Sequence, residues 1–304
     1  MTFETLKEIC RDVPGASVAE GQGGLPVIAL QTDASQADVY PHGAHVTHFQ
    51  PVTQREPVLW LSRESWFEDG KPIRGGVPVC WPWFGPHSSA PDLPSHGIAR
   101  TREWQVESLE LLDDGSLRVT FLLKSDEQTR QVWPYSFELR HEITVGATLE
   151  MTLRTRNPGK SQLSLCEALH SYFRVGDVQR VRIEGLENTT YIDKVAAASG
   201  RKQQGDEPVT FEGEVDRPYL DTESACTLVD PELGRRIIVR KRNSRSTVVW
   251  NPHIDKAARM EDFADDEWPT MVCIETANVH DNAVTIDPGQ THEMTAVISV
   301  ADME

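Results

Sequence analysis

The sequence predicts an all-β protein, a large antiparallel β-sandwich with few short helices. Apolar and polar residues alternate with a period of two along 116–124, 137–145 and 292–300, as in strands with one buried face. Turn-forming runs of Asp, Pro and Gly, such as those at 113–115 and 287–289, separate segments of this kind. Helix-like patterns are few and short, which disfavours helical bundles and parallel α/β folds.

In chain order, the first predicted element is a short helix at 4–11. The predicted strands lie at 27–31, 44–50, 57–61, 104–112, 116–124, 137–145, 148–155, 162–174, 178–184, 225–229, 235–241, 246–250, 270–278, 283–286 and 292–300. A second short helix is predicted at 257–263. The stretch 199–218 is interpreted as a solvated loop, because strand-like sequence resumes directly after it. We expect these elements to form one domain spanning residues 1–304.

Composition excludes several classes of protein. Hydrophobic residues make up 38% of the chain and charged residues 25%, as in a globular protein, and no apolar run is long enough for a membrane helix. The net charge is −17 (30 basic against 47 acidic residues) with no basic block, so we expect neither a nucleic-acid partner nor a membrane partner.

Two further features of the sequence concern the cellular location of the protein. The first residues are charged where a signal peptide would be apolar, and the five widely spaced cysteines are typical of reduced thiols. We therefore expect a cytoplasmic protein, and we expect it to be a monomer.

The segment 72–100 interrupts the alternation with prolines, glycines, aromatic residues, histidines and arginines. A long irregular loop of this kind is often functional. Trp83 is a candidate for sugar binding, because aromatic rings stack on the apolar face of a pyranose; the alternative is that Trp81 and Trp83 pack the loop onto the sandwich. Arg74 and Arg100 flank the loop and are candidates for holding an anionic substrate in this acidic protein, although structural ion pairs would also explain them.

Two polar residues fall within predicted central strands. His170 lies in 162–174 and Glu275 in 270–278, and both segments carry apolar residues on both faces. A carboxylate at such a position is costly to bury unless it is paired or functional. A histidine there is more often a satisfied core residue. Glu275 is therefore the stronger functional candidate of the two.

Seven motifs in this order make the sequence resemble the aldose 1-epimerase superfamily and, within it, the hexose-6-phosphate mutarotase branch. They are Ile73-Arg74-Gly75-Gly76-Val77-Pro78, Trp81-Pro82-Trp83-Phe84-Gly85, His96-Gly97-Ile98-Ala99-Arg100, Ala168-Leu169-His170-Ser171-Tyr172-Phe173, Tyr191-Ile192-Asp193-Lys194, Val215-Asp216-Arg217 and Ile274-Glu275-Thr276-Ala277-Asn278.

The resemblance implies a galactose-mutarotase-like β-supersandwich and interconversion of the α and β anomers of an aldohexose 6-phosphate, glucose 6-phosphate above all. It implies that His170 and Glu275 are the catalytic pair and that no metal or other cofactor is needed. It also implies that Arg74, Arg100 and Asp216 contact the substrate and that His96 lies in the pocket. Ser95, which stands where some other members have a larger amide side chain, is a further candidate for substrate binding. We expect Asp216 to lie in a loop.

For such a reaction we assign Glu275 as the base at the C1 hydroxyl and His170 as the acid at the ring oxygen. Their reference pKa values make Glu275 charged near neutrality, and we expect the nearby carboxylate and the substrate phosphate to keep His170 protonated. Three alternatives stay open: an epimerase for unphosphorylated aldoses, a non-catalytic carbohydrate-binding protein and a glycoside hydrolase. The last is disfavoured because the candidate pair is one histidine and one glutamate rather than two carboxylates.

Overall fold

The computed structural model describes residues 1–195 and 200–303. Within this part of the chain the α-helices are short: α1 spans Phe3–Cys10, α2 Glu127–Val132 and α3 His253–Ala257. None of the described helices is long and apolar enough to cross a membrane. The strands pair in antiparallel sheets, which confirms the predicted fold class.

The strands are numbered in chain order. They are β1 (Ala16–Glu20), β2 (Pro26–Gln31), β3 (Ser35–Tyr40), β4 (His45–Pro51), β5 (Val79–Cys80), β6 (Gln105–Leu111), β7 (Leu117–Lys124), β8 (Glu138–Val145), β9 (Leu149–Arg156), β10 (Leu163–Leu165), β11 (Glu167–Leu169), β12 (Tyr172–Arg174), β13 (Arg182–Glu184), β14 (Thr190–Asp193), β15 (Gly200–Gln203), β16 (Val215–Tyr219), β17 (Cys226–Asp230), β18 (Arg235–Arg242), β19 (Ser246–Asn251), β20 (Met271–Asn278), β21 (Val284–Ile286) and β22 (Thr291–Asp302).

Two eight-stranded sheets dominate the molecule. The β20 sheet has the order β15-β14-β16-β19-β20-β11-β5, with β12 also pairing to β20, and the β22 sheet has the order β13-β17-β18-β22-β9-β8-β7-β6. A four-stranded sheet, β1-β2-β3-β4, and the pair β10-β21 complete the architecture. The largest cluster of buried apolar side chains draws on both large sheets, for example Val272 and Ile274 of β20 with Met294 and Ala296 of β22.

The burial of individual strands follows their position. In β8 the buried residues alternate with partly exposed ones, as the period of two predicts, because one face packs on the core. Every residue of β20 is buried, because neighbours cover both of its faces. The polar residues of β20 are therefore the exceptional ones, and Glu275 is the charged residue among them.

Several predicted boundaries were wrong. The second helix is His253–Ala257 rather than 257–263, because it begins directly after Pro252 and ends before the turns that follow Ala258. Residues 57–61 make only isolated bridges. The stretch interpreted as a solvated loop, 199–218, instead contains β15 and most of β16; its first residue, 199, lies outside the described residues.

Candidate active site

The β20 sheet carries a cavity of about 360 Å³ on the face turned away from the main core. We call it the central pocket. Its lining includes most of the residues that the sequence singled out, namely Arg74, Ser95, His96, Arg100, His170, Asp216 and Glu275. Trp83 is not part of this lining.

An interruption between two strands presents His170. β11 ends at Leu169 and β12 begins at Tyr172, so the predicted continuous strand 162–174 is broken at this point. The backbone is held instead by bonds outside the ladder: His170 N–H donates to Pro78 O (3.0 Å) and Ile274 N–H donates to Ser171 O (3.2 Å). These bonds align His170 with the middle of β20, where Glu275 lies.

His170 and Glu275 form a buried pair. His170 Nε2 lies 3.3 Å from Glu275 Oε1, and the two side chains are 8% and 1% exposed. Burial lowers the pKa of His170 well below its usual value, and Arg100 and Arg74 lower it further. Burial also raises the pKa of Glu275 well above its usual value, and the charge of Asp216 adds to this.

These directions differ from the sequence-based expectation of a charged Glu275 and a protonated His170. That expectation used reference pKa values and mutual attraction, whereas in the central pocket desolvation penalises both charges. The neutral form of the pair, with its proton on Glu275, is the favoured one. Since both forms contain the same single proton, a shift of that proton across the 3.3 Å contact would convert one form into the other.

The two arginines differ in their surroundings. Arg74 Nε and Nη2 donate to Asp262 Oδ2 (3.1 and 3.0 Å), so a carboxylate balances its charge. Arg100 is buried and donates from Nη2 to the backbone carbonyl of Ser95 (2.9 Å), and it has no carboxylate partner within the described residues. Burial without such a partner lowers the pKa of Arg100. Arg100 therefore supplies uncompensated positive charge next to His170.

The loop that carries Ser95 and His96 is tightly shaped. His96 adopts a left-handed backbone with φ of 65°, and Gly97 follows with φ of 80°. A Cβ atom on Gly97 would lie 2.0 Å from Trp81 O, so only glycine fits there. His96 Nδ1 accepts from Gly85 N–H (3.4 Å), and burial lowers the pKa of His96 well below its usual value. A neutral ring with Nδ1 as acceptor leaves Nε2–H as the donor.

Asp216 lies in β16, opposite Trp250 of β19, and not in a loop as predicted. Two lysines that the sequence analysis did not single out flank it: Lys194 Nζ is 3.9 Å and Lys256 Nζ 3.6 Å from its carboxylate oxygens. Lys194 belongs to one of the quoted motifs, so a signal for it existed. Lys256 had none.

The aromatic lining also differs from the expectation. Trp83 Nε1 donates to Pro94 O (3.0 Å) and its ring packs against His87, so Trp83 braces the loop, which is the alternative that the sequence analysis left open. Phe84, Tyr172 and Trp250 line the central pocket instead. Trp250 could be found only from the sheet order, because it faces the pocket as a neighbour of Cys273 across the β19–β20 ladder.

Comparison with known proteins identifies the family of this chain. The family model described as aldose 1-epimerase matches residues 26–299. A Salmonella typhimurium protein named "Putative glucose-6-phosphate 1-epimerase" is 39% identical over 253 residues, 83% of this chain and 83% of its own length. A Cenchrus ciliaris protein with the same name is 35% identical over 286 residues, covering 91% of this chain and 85% of that protein.

Solved structures agree with these sequence matches. The crystal structure of a "putative mutarotase" from Salmonella typhimurium superimposes with a TM-score of 0.88 at 34% identity, covering 96% of this chain and 95% of that one. A galactose mutarotase-like protein from Clostridium acetobutylicum shares the fold with a TM-score of 0.75 at 13% identity, covering 95% of this chain and 98% of its own.

Proposed function

The chain belongs to the aldose 1-epimerase family, and from this premise we propose that it interconverts the α and β anomers of an aldohexose 6-phosphate, with glucose 6-phosphate as the preferred substrate. The observation that carries the proposal is the buried His170–Glu275 pair in the same pocket as Arg74 and Arg100. The His170–Glu275 pair can exchange protons with a sugar, and the guanidinium groups of the two arginines suit a phosphate group. The curated relatives named above support the same substrate.

Anomer exchange opens the ring and closes it on the other face of C1. Ring opening takes a proton from the C1 hydroxyl and gives one to the ring oxygen, so one base and one acid are needed, and they exchange roles on closure. Glu275 acts as the base at the hydroxyl and His170 as the acid at the ring oxygen. His96 donates a hydrogen bond from Nε2 to a substrate oxygen.

The substrate itself prepares the pair for this chemistry. Burial lowers the pKa of His170, and the positive charges of Arg100 and Arg74 lower it further. A phosphate monoester bound between them would offset their charge at His170, so the pKa of His170 would rise again. The single proton of the pair then resides on His170, which leaves Glu275 as a free carboxylate. The phosphate thus contributes to catalysis as well as to binding.

Two alternative functions are an epimerase for free aldoses and a non-catalytic carbohydrate-binding protein. The buried Arg100, which has no carboxylate partner within the described residues, favours an anionic substrate over a free aldose. The buried His170–Glu275 pair favours acid–base catalysis over binding alone. Trp250, Phe84 and Met260 offer apolar surface for the sugar ring beside the acid and the base.

The direct test follows fresh α-glucose 6-phosphate with a dehydrogenase that is selective for the β anomer, with and without this protein. Free α-glucose is run in parallel with its own β-selective enzyme. We expect strong acceleration for the phosphate and little for the free sugar. Acceleration for free glucose alone would assign the protein to epimerases of unphosphorylated aldoses, and no acceleration for either would leave a binding protein.

A further inference from the structure

One side chain in the central pocket contacts both the anion-binding arginine and the catalytic histidine. Arg74 Nη1 donates to the hydroxyl oxygen of Tyr172 (3.0 Å). The ring of Tyr172 stacks on the ring of His170, with centroids 4.8 Å apart and planes 16° apart. Tyr172 belongs to one of the seven sequence motifs, but the motif alone predicts no role for it.

From these contacts we propose that Tyr172 is a positioning residue that couples phosphate binding to acid–base chemistry: its hydroxyl orients Arg74 and its ring orients His170. The inference rests on the proposed function and deepens it.

The hydroxyl matters because of how Arg74 is held. A guanidinium has five N–H donors. Asp262 takes one from Nε and one from Nη2, and Tyr172 takes one from Nη1. Each terminal nitrogen keeps one N–H, and two such donors in one plane fit two oxygens of a phosphate. Without the Tyr172 hydroxyl, Nη1 loses its anchor and the plane can tilt about the contact with Asp262.

The ring matters because of how His170 is held. His170 Nδ1 is buried, and no other residue in the described part of the chain hydrogen-bonds to it, so no neighbouring residue fixes the imidazole through that nitrogen. Ring contacts do so instead: Tyr172 stacks on its face, while His96 and Trp250 meet it edge-on. Tyr172 is itself fixed, since the indole of Trp60 stacks on it at 5.7 Å.

Two substitutions separate the two contacts. Tyr172→Phe keeps the ring and removes the hydroxyl; we expect KM for glucose 6-phosphate to rise about tenfold with kcat within about twofold. Tyr172→Leu also removes the aromatic face; we expect kcat to fall about tenfold or more, because the imidazole is no longer aligned with the ring oxygen. A merely structural residue would not split KM from kcat in this way.

Tyr40→Phe is the matched control. Tyr40 is a buried residue of β3 that does not line the central pocket, and its hydroxyl accepts a hydrogen bond from Gln22 N–H (3.2 Å). Loss of this hydroxyl should leave both constants unchanged. A double-mutant cycle adds a second readout. If Tyr172 acts on phosphate through Arg74, Tyr172→Phe causes no further rise in KM in an Arg74→Ala background.

The inference is overturned if Tyr172→Phe leaves KM unchanged, if it lowers kcat alone, or if its effect adds fully to that of Arg74→Ala. Tyr172→Phe and the cycle test the hydroxyl, and Tyr172→Leu tests the ring: unchanged kcat in Tyr172→Leu overturns the role at His170. Should Tyr172→Leu fail to fold, Tyr172→Met, which also lacks an aromatic face but fills more of the same space, replaces it. Calorimetric titration of inorganic phosphate separates this test from the proposed function. Weaker phosphate binding in Tyr172→Phe supports the role at Arg74 even in a protein without epimerase activity, whereas an active enzyme with unchanged phosphate binding contradicts it.

Discussion

Two histidine–glutamate pairs involve neighbouring residues of the β20 sheet, and they differ in distance, surroundings and pKa shifts. His170 and Glu275 face the central pocket at 3.3 Å. His292 of β22 and Glu167 of β11 join the two large sheets at 2.7 Å, with Asn278 Nδ2 also donating to Glu167 (3.0 Å). Glu167 and His170 are three positions apart in the sequence, as are Glu275 and Asn278, and an odd spacing along extended chain places the two members on opposite faces of the β20 sheet.

The difference between the pairs lies in what surrounds them. Next to His170 the charges are arginines, which lower the pKa of His170 beyond the effect of burial. Burial also lowers the pKa of His292, but the hydrogen bond to Glu167 and the charges of Glu167 and Glu293 outweigh it, so its pKa is raised. One pair therefore favours a neutral form with a movable proton, and the other favours a fixed ion pair. We propose that the same residue types serve catalysis in one setting and stabilise the contact between the two sheets in the other.

The largest expected effect comes from removing one carboxylate of each pair. Glu275→Gln should lower kcat about 10³-fold, because the base is lost, while the free energy of unfolding changes little. Glu167→Gln should keep kcat within a few-fold but lower the free energy of unfolding by about 2 kcal/mol, because the ion pair to His292 is lost. Anomerisation rates and urea denaturation measure the two quantities. Near-wild-type activity of Glu275→Gln would show that Glu275 is not the base of the reaction.

The second effect tests the arginines that distinguish the two settings. Arg100→Ala should raise KM for glucose 6-phosphate about 10- to 100-fold, since a charge-assisted contact with phosphate is lost. The change for free glucose should be much smaller. Arg235→Ala is not a suitable control, because that buried arginine donates to three backbone carbonyls and supports the fold; Arg118→Ala, on the surface of β7, is suitable. Equal effects on both sugars would contradict a phosphate role for Arg100.

The contrast also shows what sequence could and could not predict. Glu275 was identifiable because a charged residue within an apolar strand is costly, a property visible along a single segment. The break at His170 was not, because the bonds that cause it come from Pro78 and Ile274, far away in sequence. The position of Trp250 in the pocket could be predicted only from the strand order, and the role of Asp262 only from the position of Arg74. Local pattern predicted the strands of the β22 sheet but missed β5, β14, β15 and β16 of the β20 sheet, and it did not show which residues meet across the strands.

The smallest effect concerns the pH dependence of stability. The folded-state pKa of His292 is raised above its usual 6.5, so its contribution to stability is complete below about pH 6.5 and is lost as the pH rises through the folded-state value. The free energy of unfolding of wild type, relative to His292→Gln, should fall by roughly 1 kcal/mol between pH 6 and pH 9, the usual size for a partly exposed pair. His170→Gln should show the opposite sign, because the pKa of His170 is lowered and wild type loses stability relative to that variant as the pH falls below 6.5. Denaturation curves collected across this range measure both differences. Parallel curves for wild type and both variants would mean that the two pairs do not differ in charge, and the contrast between a movable and a fixed proton would fail.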